Sequence, residues 1–176
     1  MIKNIAQIRY GLNAKVTPDG SIPILQLRDF DEYENFLPIQ LSKISKNQVR
    51  EKDRLKSGDV LFAAKGSRRF SYVWDNELPV AVASSTFFVI SIKIKTVIPE
   101  YLAWYLQSNE ATRYFDKYFK EGTIKSINKK VFEMLEIKIP SIAKQKQIVR
   151  LNELFHKELI LLDQLKSEKE KLIRNL

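Results

Sequence analysis

Glu136-Ile137-Lys138 is the one segment of this chain whose residue types and spacing match a hydrolytic centre. A carboxylate and a lysine at E-x-K spacing on a strand can hold a metal and position a water. With Asp116 upstream as a second carboxylate, that set would serve metal-assisted phosphodiester hydrolysis. The same three residues also arise by chance in a lysine-rich chain, and Asp116 is expected in a helix rather than beside a strand. His156 is the only histidine. It falls near a core position of a helical repeat and reads as an incidental helix residue, so no Ser-His-Asp set can be built without remote partners. Neither G-x-x-x-x-G-K-[ST] nor G-x-G-x-x-G occurs, and five glycines could not easily build a phosphate loop. The residues therefore imply no cofactor, no metal and no catalysis.

Two basic loops offer recognition chemistry instead. The first runs Lys65-Gly66-Ser67-Arg68-Arg69-Phe70-Ser71, the second Gly122-Thr123-Ile124-Lys125-Ser126-Ile127-Asn128-Lys129-Lys130. Arginine can clasp the guanine edge and asparagine the adenine edge, while Lys, Ser and Thr hold phosphates. Lys65, Ser67, Arg68, Arg69, Thr123, Lys125, Ser126, Asn128 and Lys129 are the expected DNA contacts. The net charge of +9 agrees, with +6 on residues 1–140, because a basic body favours polyanionic partners. Trp74, Phe87, Phe88, Tyr101, Trp104 and Tyr105 have the periodicity of core residues rather than of a stacking platform.

The elements that must position these loops read as α+β, a mixed α/β body over residues 1–140. Ile22–Leu27, Val60–Ala64 and Tyr72–Trp74 are expected as strands, and Val80–Ile94 as one or two more. Ile2–Tyr10 fits helix or strand, and Asp29–Gln40 reads as loop. Pro99 opens a helix that is expected to run through Tyr114 and Phe119 to a cap at Gly122. Lys129–Leu135 reads as a short helix and Glu136–Ile139 as an alternating edge strand.

Residues 141–176 form the second unit. No Pro or Gly follows Pro140, and a helix from Ile142 to Leu176 would be about 50 Å long at roughly 1.5 Å per residue. Ile148, Leu151, Phe155, Glu158, Leu162, Leu165, Lys169, Leu172 and Leu176 fall on a heptad, the seam of a coiled coil. Two rods running antiparallel about a centre between Asp163 and Gln164 would set Glu158 against Lys169 and every other paired layer apolar against apolar. A parallel pair would oppose like charges. The expected assembly is an antiparallel homodimer. With no cysteine and no apolar run of membrane-spanning length, a cytoplasmic chain that contacts no membrane is expected.

Gly58-Asp59-Val60-Leu61-Phe62, a basic loop with Gly66, Val97-Ile98-Pro99-Glu100-Tyr101-Leu102 and Gly122-Thr123 resemble, in that order, a target recognition domain from a specificity subunit of a type I restriction-modification system. Ile137-Lys138-Ile139-Pro140, followed by Gln145 and Ile148, resembles the junction into that family's long spacer helix. Ser141 stands where the family usually has a second proline, and it is itself a good N-cap. Lys144 replaces the family's acidic residue. Family members commonly hold two recognition domains and two helical regions, so this chain resembles a half-subunit. The resemblance implies sequence-specific binding of double-stranded DNA without catalysis. Methylation would come from a separate modification subunit and cleavage from a restriction subunit where one exists. A two-fold pair of such chains would read an interrupted palindrome. Two rival readings remain at this point, a nuclease using Glu136 and Lys138 and a coiled-coil adaptor whose basic body binds acidic protein.

Overall fold

The computed structural model describes residues 1–66, 68–118 and 126–174. Its centre is an antiparallel sheet of four strands, β1 (Ala6–Tyr10), β4 (Val60–Ala63), β5 (Ser71–Val73) and β7 (Phe87–Ile92), in the order β1-β7-β4-β5. A smaller sheet of β2 (Ile22–Leu25), β3 (Lys43–Ile44) and β6 (Val82–Ala83) has β2 in its middle, antiparallel to β3 and parallel to β6. The expected α+β class is the one observed.

Strand β4 and the first four residues of β7, Phe87 to Ile90, are continuous apolar runs because both of their faces are covered. Val60, Phe62, Phe88 and Ile90 point into a core shared with the helices. Leu61, Ala63, Phe87 and Val89 point into a second core with Leu25, Phe30 and Trp74. β1 alternates differently. Ala6 and Ile8 are buried on the helical side, while Gln7 and Arg9 face the other way, as the period of two requires. Gly58 sits at φ +83 in the turn before β4, a conformation that costs glycine little and other residues more.

The helical layer holds α1 (Pro99–Gln107), α2 (Asn109–Asp116) and α3 (Lys129–Met134). The single helix expected from Pro99 onward is broken at Ser108, which is extended and caps α2 by accepting from the Ala111 amide at 3.3 Å. Its hydroxyl satisfies an N–H that the first turn leaves open. Gly122 lies outside the described residues. Phe62, Phe88, Phe115 and Phe132 pack ring on ring beneath α2 and α3, with centroids 4.9–5.7 Å apart.

Glu136–Ile139 is not the expected edge strand. It is extended but pairs with no strand. Its carbonyls are taken by α1, Tyr101 Oη donating to Lys138 O at 2.6 Å and Tyr105 Oη to Glu136 O at 3.1 Å. Two tyrosine hydroxyls do here what a neighbouring strand would otherwise do. Ile2–Asn4 is a 3-10 turn ahead of β1, and Val80–Ile94 resolves into β6 and β7.

The rod, α4, runs Ile142–Arg174. Ser141 opens it as expected, its Oγ and O accepting from Lys144 N and Gln145 N. Gln145 is fully buried. Its amide donates to Thr96 O (2.7 Å) and Pro140 O (2.8 Å) and accepts from Ile98 N (3.0 Å). Ile148 and Val149 extend the contact by packing on the helical core. Further on, Tyr33 Oη donates to Asp163 at 2.7 Å.

Candidate nucleic-acid interface

The two basic loops, some sixty residues apart in sequence, meet at one end of the four-stranded sheet. Lys65 forms an antiparallel bridge with Ser126, and Ile127 N donates to Ala64 O at 2.9 Å. Ile127 is buried, so the second loop is anchored where the first leaves β4. Asn128 then caps α3, its Oδ1 accepting from Lys130 N at 2.8 Å. That occupies the oxygen a base contact would use and leaves the amide NH₂ without a hydrogen-bond partner among the described residues. Lys129 lies 6.0 Å over the ring of Tyr10 and 3.5 Å from Glu133. Ser67, Thr123 and Lys125 lie outside the described residues.

The two arginines differ from each other. Arg68 is exposed but folds back on the body, Nη1 donating to Asp31 O at 2.6 Å and Nη2 to Phe30 O and Leu27 O at 2.9 and 3.3 Å. It ties the 27–31 turn to the sheet. Arg69 pairs with Asp116 at 3.3 Å and lies over Phe115. Neither pattern was legible in the loop's composition. Tyr10, half exposed at the end of β1 beside Lys129, is an aromatic that sequence reasoning missed. Its signal was its place at a strand end just before Gly11. Lysine ammoniums, an amide and an exposed aromatic ring at one end of a rigid sheet suit phosphate and base contact.

The hydrolytic arrangement is not formed. Lys138 Nζ pairs with Glu110 at 3.0 Å, Asp116 is held by Arg69, and Glu136 sits on no strand. Among the described residues no group of three Asp, Glu or His side chains could hold a metal.

The loop stapled by Arg68 carries a titrating group. Glu34 is at φ 68, a left-handed conformation. Burial pushes its carboxyl up to about 7, against a hydrogen bond from Gln107 and the charge of Arg68. The folded state therefore keeps this proton to higher pH than the unfolded chain, whose carboxyl has the ordinary value of 4.5. The group's favourable contribution is complete below pH 4.5, declines as pH rises, and is lost above about 7. Glu34→Gln should flatten that slope and leave the variant more stable than the parent at pH 8, by on the order of 1 kcal/mol after solvent screening. Parallel denaturant titrations at pH 5.5 and 8 check this. A parent–variant difference that does not change with pH would refute it.

On the rod, the side chains facing the body are Gln145, Ile148, Val149, Asn152, His156 and Asp163. Ile148, expected on the seam, is packed on the body. Leu151, Phe155, Leu162, Leu165 and Leu172 are all exposed, Leu151 at 66% and Leu172 at 68%. At about 100° per residue this seam, with Glu158 and Lys169, lies roughly 130° around the helix from the body-facing stripe. Leu176 is outside the described residues. Phe155 and His156 both line a cleft with Trp104, Gln107 and Ser108 where the rod crosses α1, so the seam comes up against the body at Phe155. No helix is long and apolar enough to cross a membrane among the described residues.

A family model described as type I restriction modification DNA specificity domain matches residues 4–170. The type I restriction enzyme HindI specificity subunit of Haemophilus influenzae is 32% identical over 118 residues, 65% of this chain and 26% of that protein. A chain from a structural study of the assembly and conformational transition of a type I R-M system superposes with TM-score 0.69 at 17% identity, over 99% of this chain and 42% of that one. The HsdS subunit of Thermoanaerobacter tengcongensis gives 0.62 at 15% identity, over 93% of this chain and 38% of that one. The S subunit of M. genitalium gives 0.60 at 12%, over 93% and 40%. The structural likenesses show the fold. The chain spans less than half the length of each of these relatives.

Proposed function

Because the chain belongs to the family of type I restriction modification DNA specificity domains, we propose that it is the DNA-reading half of a type I specificity subunit. It binds double-stranded DNA through the loop cluster at the recognition end of the four-stranded sheet and performs no chemistry itself. It directs a modification subunit, and a restriction subunit where the system has one, to a bipartite target in the cytoplasm. Its rod pairs antiparallel with that of a second copy, so that two recognition units face one DNA. The observation that carries this reading is the meeting of Lys65 with Ser126. Lys65 of the first basic stretch and Ser126 of the second, remote in sequence, lie side by side, on a fold whose other end is locked to a rod with an exposed apolar seam.

The test is DNA binding by the purified chain as a function of salt, with paired variants. Lys65→Ala/Lys129→Ala should weaken binding and make the plot of log K against log salt shallower by about one for each lost phosphate contact, or relax preference at one base if a contact is to a base edge. Arg68→Ala serves as a contrast. It strips donors from three backbone carbonyls, so it should lower the unfolding midpoint as well. Unchanged affinity and unchanged base preference in the Lys65/Lys129 variant would remove this surface from the interface.

A further inference from the structure

The sheet face away from the helices is not uniformly covered. Over β4, β5 and β7 it meets Phe30, Leu55, Phe70 and Trp74. Beside β1, the edge strand, it opens into a groove of about 810 Å³ that wraps the sheet edge, from Tyr10 and Lys129 on the helical side at the recognition end to Gly58 and Pro99 at the other. Its floor includes the outward residues of β1, Gln7 and Arg9, and its wall is the segment from Arg50 to Ser57.

Six cations line it, Arg9, Arg50, Lys52, Arg54, Lys56 and Lys129, against two carboxylates, Asp53 and Asp59. Both carboxylates are engaged within the protein. Asp53 accepts from Arg50 N and Nε at 3.0 and 3.1 Å. Asp59 accepts from Ser91 Oγ at 2.6 Å and Lys56 N at 3.0 Å, with Arg9 Nη2 3.7 Å away. Arg9 also donates to Asp53 O and Arg54 O at 3.2 and 2.9 Å, tying the wall to the floor. Lys52 and Lys56 are exposed, and neither is in a salt bridge with another described residue. Arg54 Nε is buried with no acceptor, one of three such side-chain atoms among the described residues. Arg54 also pairs with Glu51 at 2.9 Å and Lys129 with Glu133 at 3.5 Å, so the groove is a basic channel whose excess positive charge is carried by Lys52 and Lys56.

Its dimensions select the ligand. A five-residue strand at about 3.3 Å per residue gives a channel of about 17 Å, which spans about five nucleotides of one strand at about 3.4 Å each. A compact anion would fill only a fraction of that length. The channel is also continuous with the recognition end, since Lys129 belongs to both, and no rod residue lines it among the described residues. We infer that this groove is a second DNA-contact surface, holding the phosphate backbone of the duplex that flanks the bases read at the loop cluster. It contributes affinity and orientation but no base preference. The inference rests on the DNA-binding reading above.

The experiment measures binding of the full chain to target and unrelated duplexes over a salt series, comparing Lys52→Ala/Lys56→Ala with the parent and with Lys65→Ala/Lys129→Ala. Both groove side chains are exposed and carry no side-chain hydrogen bond, so the variant should fold. Expected is a salt slope shallower by about two and affinity near 0.1 M salt lower by about tenfold, equally for target and unrelated DNA. Affinity and slope equal to the parent's, while the loop variant weakens binding, would overturn the groove and leave the proposed function standing. A variant that binds DNA normally but loses a modification subunit would overturn it in favour of an acidic protein surface. No DNA binding by the parent, or none altered by either variant, would overturn both readings.

Discussion

Replacing Gln145 by leucine should detach the rod from the body and destabilise the whole chain. The side chain is fully buried and makes three hydrogen bonds, to Thr96 O, Pro140 O and Ile98 N. Leucine fills a similar volume but satisfies none of these groups. Each backbone group left buried without a partner costs about 1–3 kcal/mol, and partial relaxation toward water reduces the sum, so a loss of about 2–4 kcal/mol is expected. Gln145→Glu separates the contributions. An ionised carboxylate keeps the acceptor for Ile98 N but removes the donors and faces two carbonyls, so it should be at least as damaging near neutral pH. Chemical denaturation reads the stability, and small-angle scattering reads whether the rod keeps its angle to the body. An unchanged unfolding midpoint in Gln145→Leu would show that Ile148, Val149 and the Tyr33–Asp163 contact hold the rod without this junction.

The second large effect concerns pairing of the rods. In the antiparallel arrangement Glu158 meets Lys169, and two-fold symmetry makes that layer occur twice. Lys169→Glu thus places Glu against Glu in two layers of an otherwise apolar seam. A cost of about 2–4 kcal/mol follows, on the order of a hundredfold or more in the dimer Kd. Adding Glu158→Lys restores opposite charges in both layers and should recover most of the loss. From Glu158 onward the seam lies well around the helix from the body-facing stripe, so that stretch of two rods can meet without displacing either body, while Phe155 borders the cleft with Trp104 and Gln107. Sedimentation equilibrium of the parent, single and double variants decides. A monomeric parent at micromolar concentration, or a double variant no better than the single, would rule the pairing out.

What could be foreseen and what could not follow from the range of the forces involved. The strands at Val60 and Phe87 and the helix at Pro99 announce themselves by local apolarity and by proline. The rod does so by its period and by the absence of Pro and Gly after Pro140. Ser108 is different. Ser108-Asn109 carries a local N-cap signal, but its apolar flanks read as one helix, and the break is fixed by the packing of Ala111 and Phe115 beneath it. Glu136–Ile139 has a strand's alternation, but α1 brings two tyrosine hydroxyls to its carbonyls, a contact from more than thirty residues away. Arg68 and Arg69 look equivalent in a basic loop. Only the tertiary fold gives one of them three carbonyls and the other a carboxylate. The Arg50–Lys56 segment was overlooked because its acidic residues dilute its charge in sequence, whereas the folded chain engages those acids internally and leaves the lysines outward.

Two copies of this chain are expected to read one DNA, and selection of bound duplexes from a random pool by the purified chain, followed by sequencing, tests that pairing. An inverted repeat should be enriched, two identical half-sites in opposite orientation separated by a spacer of constant length and unconstrained sequence. Lys169→Glu should reduce the enriched motif to a single half-site. A parent that enriches only one half-site, or two half-sites at variable spacing, would contradict the paired architecture. A pool that emerges unenriched would contradict sequence-specific DNA recognition by this chain.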